Sequence, residues 1–275
     1  MNIKNIMTIA KKDWIEVRQN KYAWMPMLIV PILFVVVLPL VFTLVIPGLN
    51  VDPQDVLTSD PDIEYFISRM PVQLSQYIDL QRPMESMVIV MLGIMLAPMF
   101  LILPLMYSTT IAAESFAGER ERKTMEALLY TPASDADLFL GKMTASAIPS
   151  IGITWLGFIL YTLILNLVPF RFFQRIWFPL PTWWPLIFWI TPAMVILGIS
   201  LTVIISVKVQ NFLGAYQTSA SVILLVVILF AGQMSGVLYL SVSVEMALGL
   251  VFWLIASALT YFAIKTFKRE TLITG

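Results

Sequence analysis

Residues 24–46 read WMPMLIVPILFVVVLPLVFTLVI, without one formal charge. A helix rises 1.5 Å per residue and needs about 20 residues to cross about 30 Å of hydrocarbon. This stretch is long enough to do so. Five further runs repeat the pattern: Met87–Thr110, Met143–Val168, Trp183–Val207, Thr218–Leu240 and Met246–Lys265. The sequence therefore predicts an all-α polytopic membrane protein with six transmembrane helices. The first run is too long for a cleaved leader, and no A-x-A site follows it.

Composition agrees. Of 275 residues, 59% are hydrophobic and 12% charged, and mean hydropathy is +0.86. Soluble domains are about half apolar and about a quarter charged. One compact core could not hide this much apolar surface from water. Formal net charge is zero, so the basic footprint that nucleic acid requires is missing. With no His and no Cys, the usual ligands of zinc, haem and iron–sulfur clusters are lacking. The same absence removes Ser-His-Asp and Cys-His catalysis. No catalytic, cofactor-binding or metal-ligating residue is therefore expected on this chain.

Lys and Arg set the orientation. Thirteen of the 17 fall on one side of the six-span topology: Lys4, Lys11, Lys12, Arg18, Lys21, Arg120, Arg122, Lys123, Lys142, Lys208, Lys265, Lys268 and Arg269. Arg69, Arg82, Arg171 and Arg175 fall on the other. Both termini are expected to be cytoplasmic, in a multi-pass protein of the cell membrane. Tyr22, Trp24, Trp177, Trp183 and Trp184 sit at predicted span edges, where amphipathic rings are accommodated.

Before the first span, Ile3, Met7, Ala10, Trp14 and Val17 share a narrow arc at 100° per residue, with Lys4, Lys11, Lys12 and Arg18 largely opposite. This predicts an amphipathic helix on the membrane surface. The chain divides into residues 1–23 (amphipathic helix), 24–265 (six-helix domain with outer loop 47–86 and cytoplasmic hairpin 111–142) and 266–275 (tail). The outer loop is acidic, with Asp52, Asp55, Asp60, Asp62, Glu64, Asp79 and Glu85. It reads as a solvated surface, with a short helix expected over Asp62–Met70 ended by Pro71. Prolines 26, 31, 39, 98, 104, 149 and 192 lie in or near spans, where neighbouring helices satisfy the carbonyls they free. Gly232-x-x-x-Gly236 could bring two helices close.

The hairpin reads ESFAGERERKTMEALLYTPASDADLFLGK over residues 114–142, with Glu119–Lys123 and Arg122–Glu126 at i,i+4. Met125, Leu128 and Leu129 form an apolar patch, and Thr131-Pro132 ends the helix. Ser134 with Asp137 three residues on resembles a capping box. On residues alone, a salt-bridged solvated loop and a docking surface stand level.

The pattern Glu114-x3-Gly118-Glu119-x-Glu121-x2-Thr124-x-Glu126-x-Leu128-Leu129-x2-Pro132-x-Ser134, then Gly141-Lys142, resembles the second-type (ABC-2-like) ABC exporter permease family. Lys123 stands where that family often has Gly. The resemblance implies a permease that pairs with a second permease chain, as homodimer or heterodimer, and with a separate ABC ATPase subunit that binds ATP. It also implies docking on that subunit by Glu119, Arg120, Glu121, Thr124, Glu126, Leu128 and Leu129. Glu114 and Gly118 then lie at the helix entry, Pro132 closes the pattern, and the N-terminal helix is a connecting helix. The chain has no G-x-x-x-x-G-K-[ST] phosphate loop of its own.

The alternatives are an ion-coupled carrier, an intramembrane enzyme and a non-transport membrane assembly protein. A carrier would place ionisable groups at mid-membrane; Glu245 and Glu114 lie at span edges instead. An enzyme would need a catalytic pair or metal in the spans. The uncharged spans point to a hydrophobic or amphipathic cargo. Gln217, Thr218, Ser219 and Ser221 read as helix-packing residues more than as cargo contacts.

Overall fold

The computed structural model describes residues 3–19, 21–45, 52–79, 81–124, 135–209 and 211–266. All its regular elements are helices, and six are long and apolar enough to cross a membrane: Met27–Val45, Pro83–Glu121, Asp137–Leu167, Trp183–Ser206, Phe212–Met234 and Val242–Thr266. The protein is an all-α polytopic membrane protein. Four expected boundaries move by six residues or more. The second span continues as helix past Thr110 to Glu121, and the third begins at Asp137 rather than Met143. The fifth begins at Phe212 rather than Thr218 and ends at Met234 rather than Leu240.

Burial sorts the spans. The second is 78% buried and the fourth 67%, while the other four lie between 17% and 28%. The second and fourth spans form the centre, and the other four present apolar surface to lipid. Gly198 allows that central contact: a Cβ there would lie 2.5 Å from Ser108 Oγ. Close approach of helices in lipid depends on such small residues.

Pro98 has no N–H to give the preceding turn, and the second span is irregular over residues 89–101. Three carbonyls in this break accept buried side chains from three other spans. Tyr161 Oη donates to Leu92 O (2.8 Å), Trp183 Nε1 to Gly93 O (2.7 Å) and Gln233 Nε2 to Ile94 O (2.6 Å). The third, fourth and fifth spans are thereby pinned to one point of the second. Trp183 is fully buried and stacks on Phe158 and Tyr161, at centroid distances of 5.8 and 5.3 Å.

The outer-loop acids serve the loop itself. Asp52 accepts from Gln54 N, and Asp60 from Asp62 N and Ile63 N, capping helices Pro53–Ser59 and Pro61–Ser68. The expected Asp62–Met70 helix therefore starts earlier, because Asp60-Pro61 is a cap followed by proline at the first position. Glu85 pairs with Arg82 (3.2 Å) and Arg175 (3.5 Å). Gly232 and Gly236 do not form a helix crossing. Gly236, at φ +65°, ends the fifth helix, and Val237 and Leu238 N–H return to Gly232 O. A left-handed glycine is the usual means of stopping a helix. In the fifth span Ser219 alone of the four polar residues turns inward; Gln217, Thr218 and Ser221 are exposed.

Glu245 lies at the edge of the sixth span as expected, in the first turn of its helix. It is fully buried, and neither carboxyl oxygen has a hydrogen-bond partner among the described residues. A buried polar group left unpaired costs about 1–3 kcal/mol. Glu245→Met should therefore raise thermal stability in detergent by about 1 kcal/mol. A destabilised variant would mean that the carboxyl has a partner in the membrane.

Candidate functional site

The described sequence-predicted residues, Glu114, Gly118, Glu119, Arg120, Glu121 and Thr124, lie at the Lys/Arg-rich end of the bundle, where the second span ends, the third begins and the N-terminal helix Ile3–Gln19 crosses both. The N-terminal helix packs on the third span through Ile9, Asp13 and Val17, all buried. The expected apolar arc is divided between the bundle and its surroundings. Val17 is inside, but Met7 is 60% exposed, and the helix turns a carboxylate inward at Asp13.

Asp13 is tolerated there because its oxygens are occupied. It accepts from Ser115 Oγ and lies 3.3 Å from Lys142 Nζ and 3.2 Å from Lys12 Nζ. Lys142 is itself fully buried. Its ammonium meets Glu119 Oε2 at 2.6 Å and Ser115 O at 2.6 Å, and lies 5.5 Å from the Phe116 ring. Glu119, also fully buried, bonds Lys12 through its other oxygen. Buried charges persist only when paired and hydrogen-bonded, and every member of this cluster is.

Asp13, Glu16 and Glu119 bring carboxylate oxygens close enough to hold a metal ion. Lys12 Nζ already contacts all three, so a lysine ammonium holds the position a cation would take. Burial works against charge on Lys12. The carboxylates of Asp13, Glu119 and Glu16 outweigh it and hold the ammonium above the ordinary lysine range. Its stabilising contribution is complete below the unfolded lysine pKa, and is lost only as pH rises through the raised folded value.

A second tier surrounds this core. Arg122 pairs with Glu114 (2.6 Å) and with Glu16 (3.7 Å). Glu114, Gly118 and Arg122 follow one another at i, i+4, i+8. A Cβ on Gly118 would lie 3.0 Å from Glu114 Oε2 and 3.4 Å from Arg122 Nη1. The Glu114-x3-Gly118 spacing therefore leaves room for an ion pair laid across the glycine. Arg120 donates to Ser206 O (2.6 Å) and Val207 O (3.1 Å), carbonyls at the end of the fourth span. Glu121 Oε2 accepts from Phe212 N (2.9 Å), the first residue of the fifth. A cation at a helix C-terminus and a carboxylate at an N-terminus each complement the backbone groups left free there. Glu119, Arg120 and Glu121 thus connect, in order, the N-terminal helix and third span, the fourth span and the fifth.

The expected i,i+4 pair of Glu119 with Lys123 is replaced by these long-range partners. The helix also stops sooner than expected. Lys123 has φ 56°, Lys123 N donates to Arg120 O, and Thr124 N donates to Glu119 O. This is the left-handed helix stop that glycine favours, at the position where the resembled family often carries Gly. An L-residue in this conformation costs about 1–2 kcal/mol. Lys123→Gly should raise the unfolding midpoint of the purified chain; a lowered midpoint would contradict this helix stop. Glu126, Leu128, Leu129, Pro132 and Ser134 lie outside the described residues.

Sequence reasoning missed Asp13, Lys12 and Ser115 as partners. The available signal was an acid within the basic N-terminal helix, one position from its apolar stripe. No curated protein matches the chain. A family model, ABC-2 family transporter protein, matches residues 7–259, from the N-terminal helix through most of the sixth span. The match covers the charge cluster, five spans and most of the sixth, and the chain belongs to the ABC-2 family of transporter proteins.

Proposed function

We propose that this chain is the permease of an ATP-driven exporter and transmits the motion of a separate ABC ATPase subunit to its own spans. The chain docks that subunit through residues 121–132, Glu119 being buried within the chain itself, and pairs with a second permease chain. Both termini are cytoplasmic, at the cell membrane, and the cargo is hydrophobic or amphipathic. The observation that supports this reading is the fan of contacts from Glu119, Arg120 and Glu121. Three consecutive side chains, at the start of the expected docking segment, reach the N-terminal helix and the third, fourth and fifth spans. Displacing this helix end displaces all four together, because packed interiors shift between discrete arrangements rather than deform continuously.

Inverted vesicles holding the chain and the ABC ATPase of its host should accumulate a fluorescent amphiphile when ATP is added, and not with a non-hydrolysable analogue. Accumulation driven by an imposed ion gradient without ATP would make the chain a carrier instead.

A further inference from the structure

A groove of about 740 Å³ runs between the N-terminal helix and the third span. That volume falls within the range of sites that hold drug-sized ligands, about 300–1,000 Å³. Its walls are apolar: Met7, Ala10 and Trp14 from the helix, Ala145 and Ile148 from the span. Of the N-terminal arc, Met7 is exposed here, while Trp14 is half-buried with one side packed on the core. Ile148 is 63% exposed and Met7 60% exposed, so the groove opens to the surroundings of the bundle, which are lipid. Lys11 also lines it. Lys11 is exposed and forms no ion pair among the described residues, whereas the adjacent Lys12 is committed to Asp13, Glu16 and Glu119.

An apolar channel beside an interfacial helix, with one uncommitted ammonium on its lining, has the chemistry of a phospholipid. The channel takes an acyl chain, and the cation takes an anionic headgroup. We propose that this groove binds one anionic phospholipid, with its phosphate on Lys11 and an acyl chain against Trp14, Ala145 and Ile148. A zwitterionic lipid offers Lys11 no net charge. The Lys/Arg excess at this end of the spans also matches a membrane face rich in anionic lipid. The bound lipid lies directly beside the ion cluster, since Lys11 precedes Lys12 and Asp13, and Ala145 follows Lys142 within one turn.

The test is native mass spectrometry of the full-length chain titrated with phosphatidylglycerol or phosphatidylcholine. One lysine near a charged headgroup predicts that the first site binds phosphatidylglycerol about fivefold more tightly. Lys11→Gln should make the two lipids equivalent. Ile148→Trp, at an exposed position, should fill the groove and remove the first site for both. Equal binding of the two lipids to the unmodified chain would overturn the proposal. So would a preference that survives Lys11→Gln, or a first site that survives Ile148→Trp.

Discussion

Lys142→Met is expected to destabilise the protein by about 3–5 kcal/mol, the cost of leaving a buried ion pair without one partner. Two fully buried carboxylates, Asp13 and Glu119, share that ammonium at 3.3 and 2.6 Å. Without it both compete for Lys12, and Ser115 O also loses its donor. The loss should appear as a lower unfolding temperature and aggregation during purification. The double variant Lys142→Met with Glu119→Gln removes both members of the shorter pair. It should be destabilised by clearly less than the two single losses together, since contacting residues are not additive. Strict additivity would show that Lys142 and Glu119 do not act as a pair.

Trp183→Ala is expected to cost about 3–5 kcal/mol, the usual range for removing a large buried aromatic side chain. Two losses coincide there. The rings of Phe158 and Tyr161 lose their stacking partner, and Gly93 O loses the indole donor. Trp183→Phe separates them. It retains most of the packing and removes the hydrogen bond, so about 1–3 kcal/mol should remain for an unsatisfied buried carbonyl. If Trp183→Phe is as stable as the parent protein, the break at Pro98 does not need its cap from the fourth span.

The six spans were legible because uncharged length is a property of the sequence itself. Their relative burial was not. Residues 87–110 and 24–46 are both apolar, yet the second span is central and the first faces lipid. Pro98 announced a break in the second span. Its hydrogen-bond partners, Tyr161, Trp183 and Gln233, lie up to 139 residues away, and no local pattern specifies them.

The hairpin shows the same limit. Glu119 and Lys123 have the spacing of a surface ion pair, worth only about 0.2–0.5 kcal/mol on a helix. The structure assigns Glu119 to Lys12 and Lys142, 107 and 23 positions away, in a site that excludes water. Lys123 instead occupies the left-handed helix stop, a conformation that suits glycine better than lysine. The N-terminal arc was drawn from apolar residues alone. It therefore omitted Asp13, whose burial depends on the partners it finds in two other segments.

The central claim is that this permease takes its power from a separate ATPase docked beside the ion cluster. Purification of the chain from its own host in mild detergent, with mass spectrometry of what accompanies it, tests that claim most directly. The account predicts a stoichiometric ABC ATPase subunit, retained with the unmodified chain and lost when the exposed hairpin positions Glu121 and Lys123 are reversed in charge. A folded chain that purifies without any ATPase would contradict it.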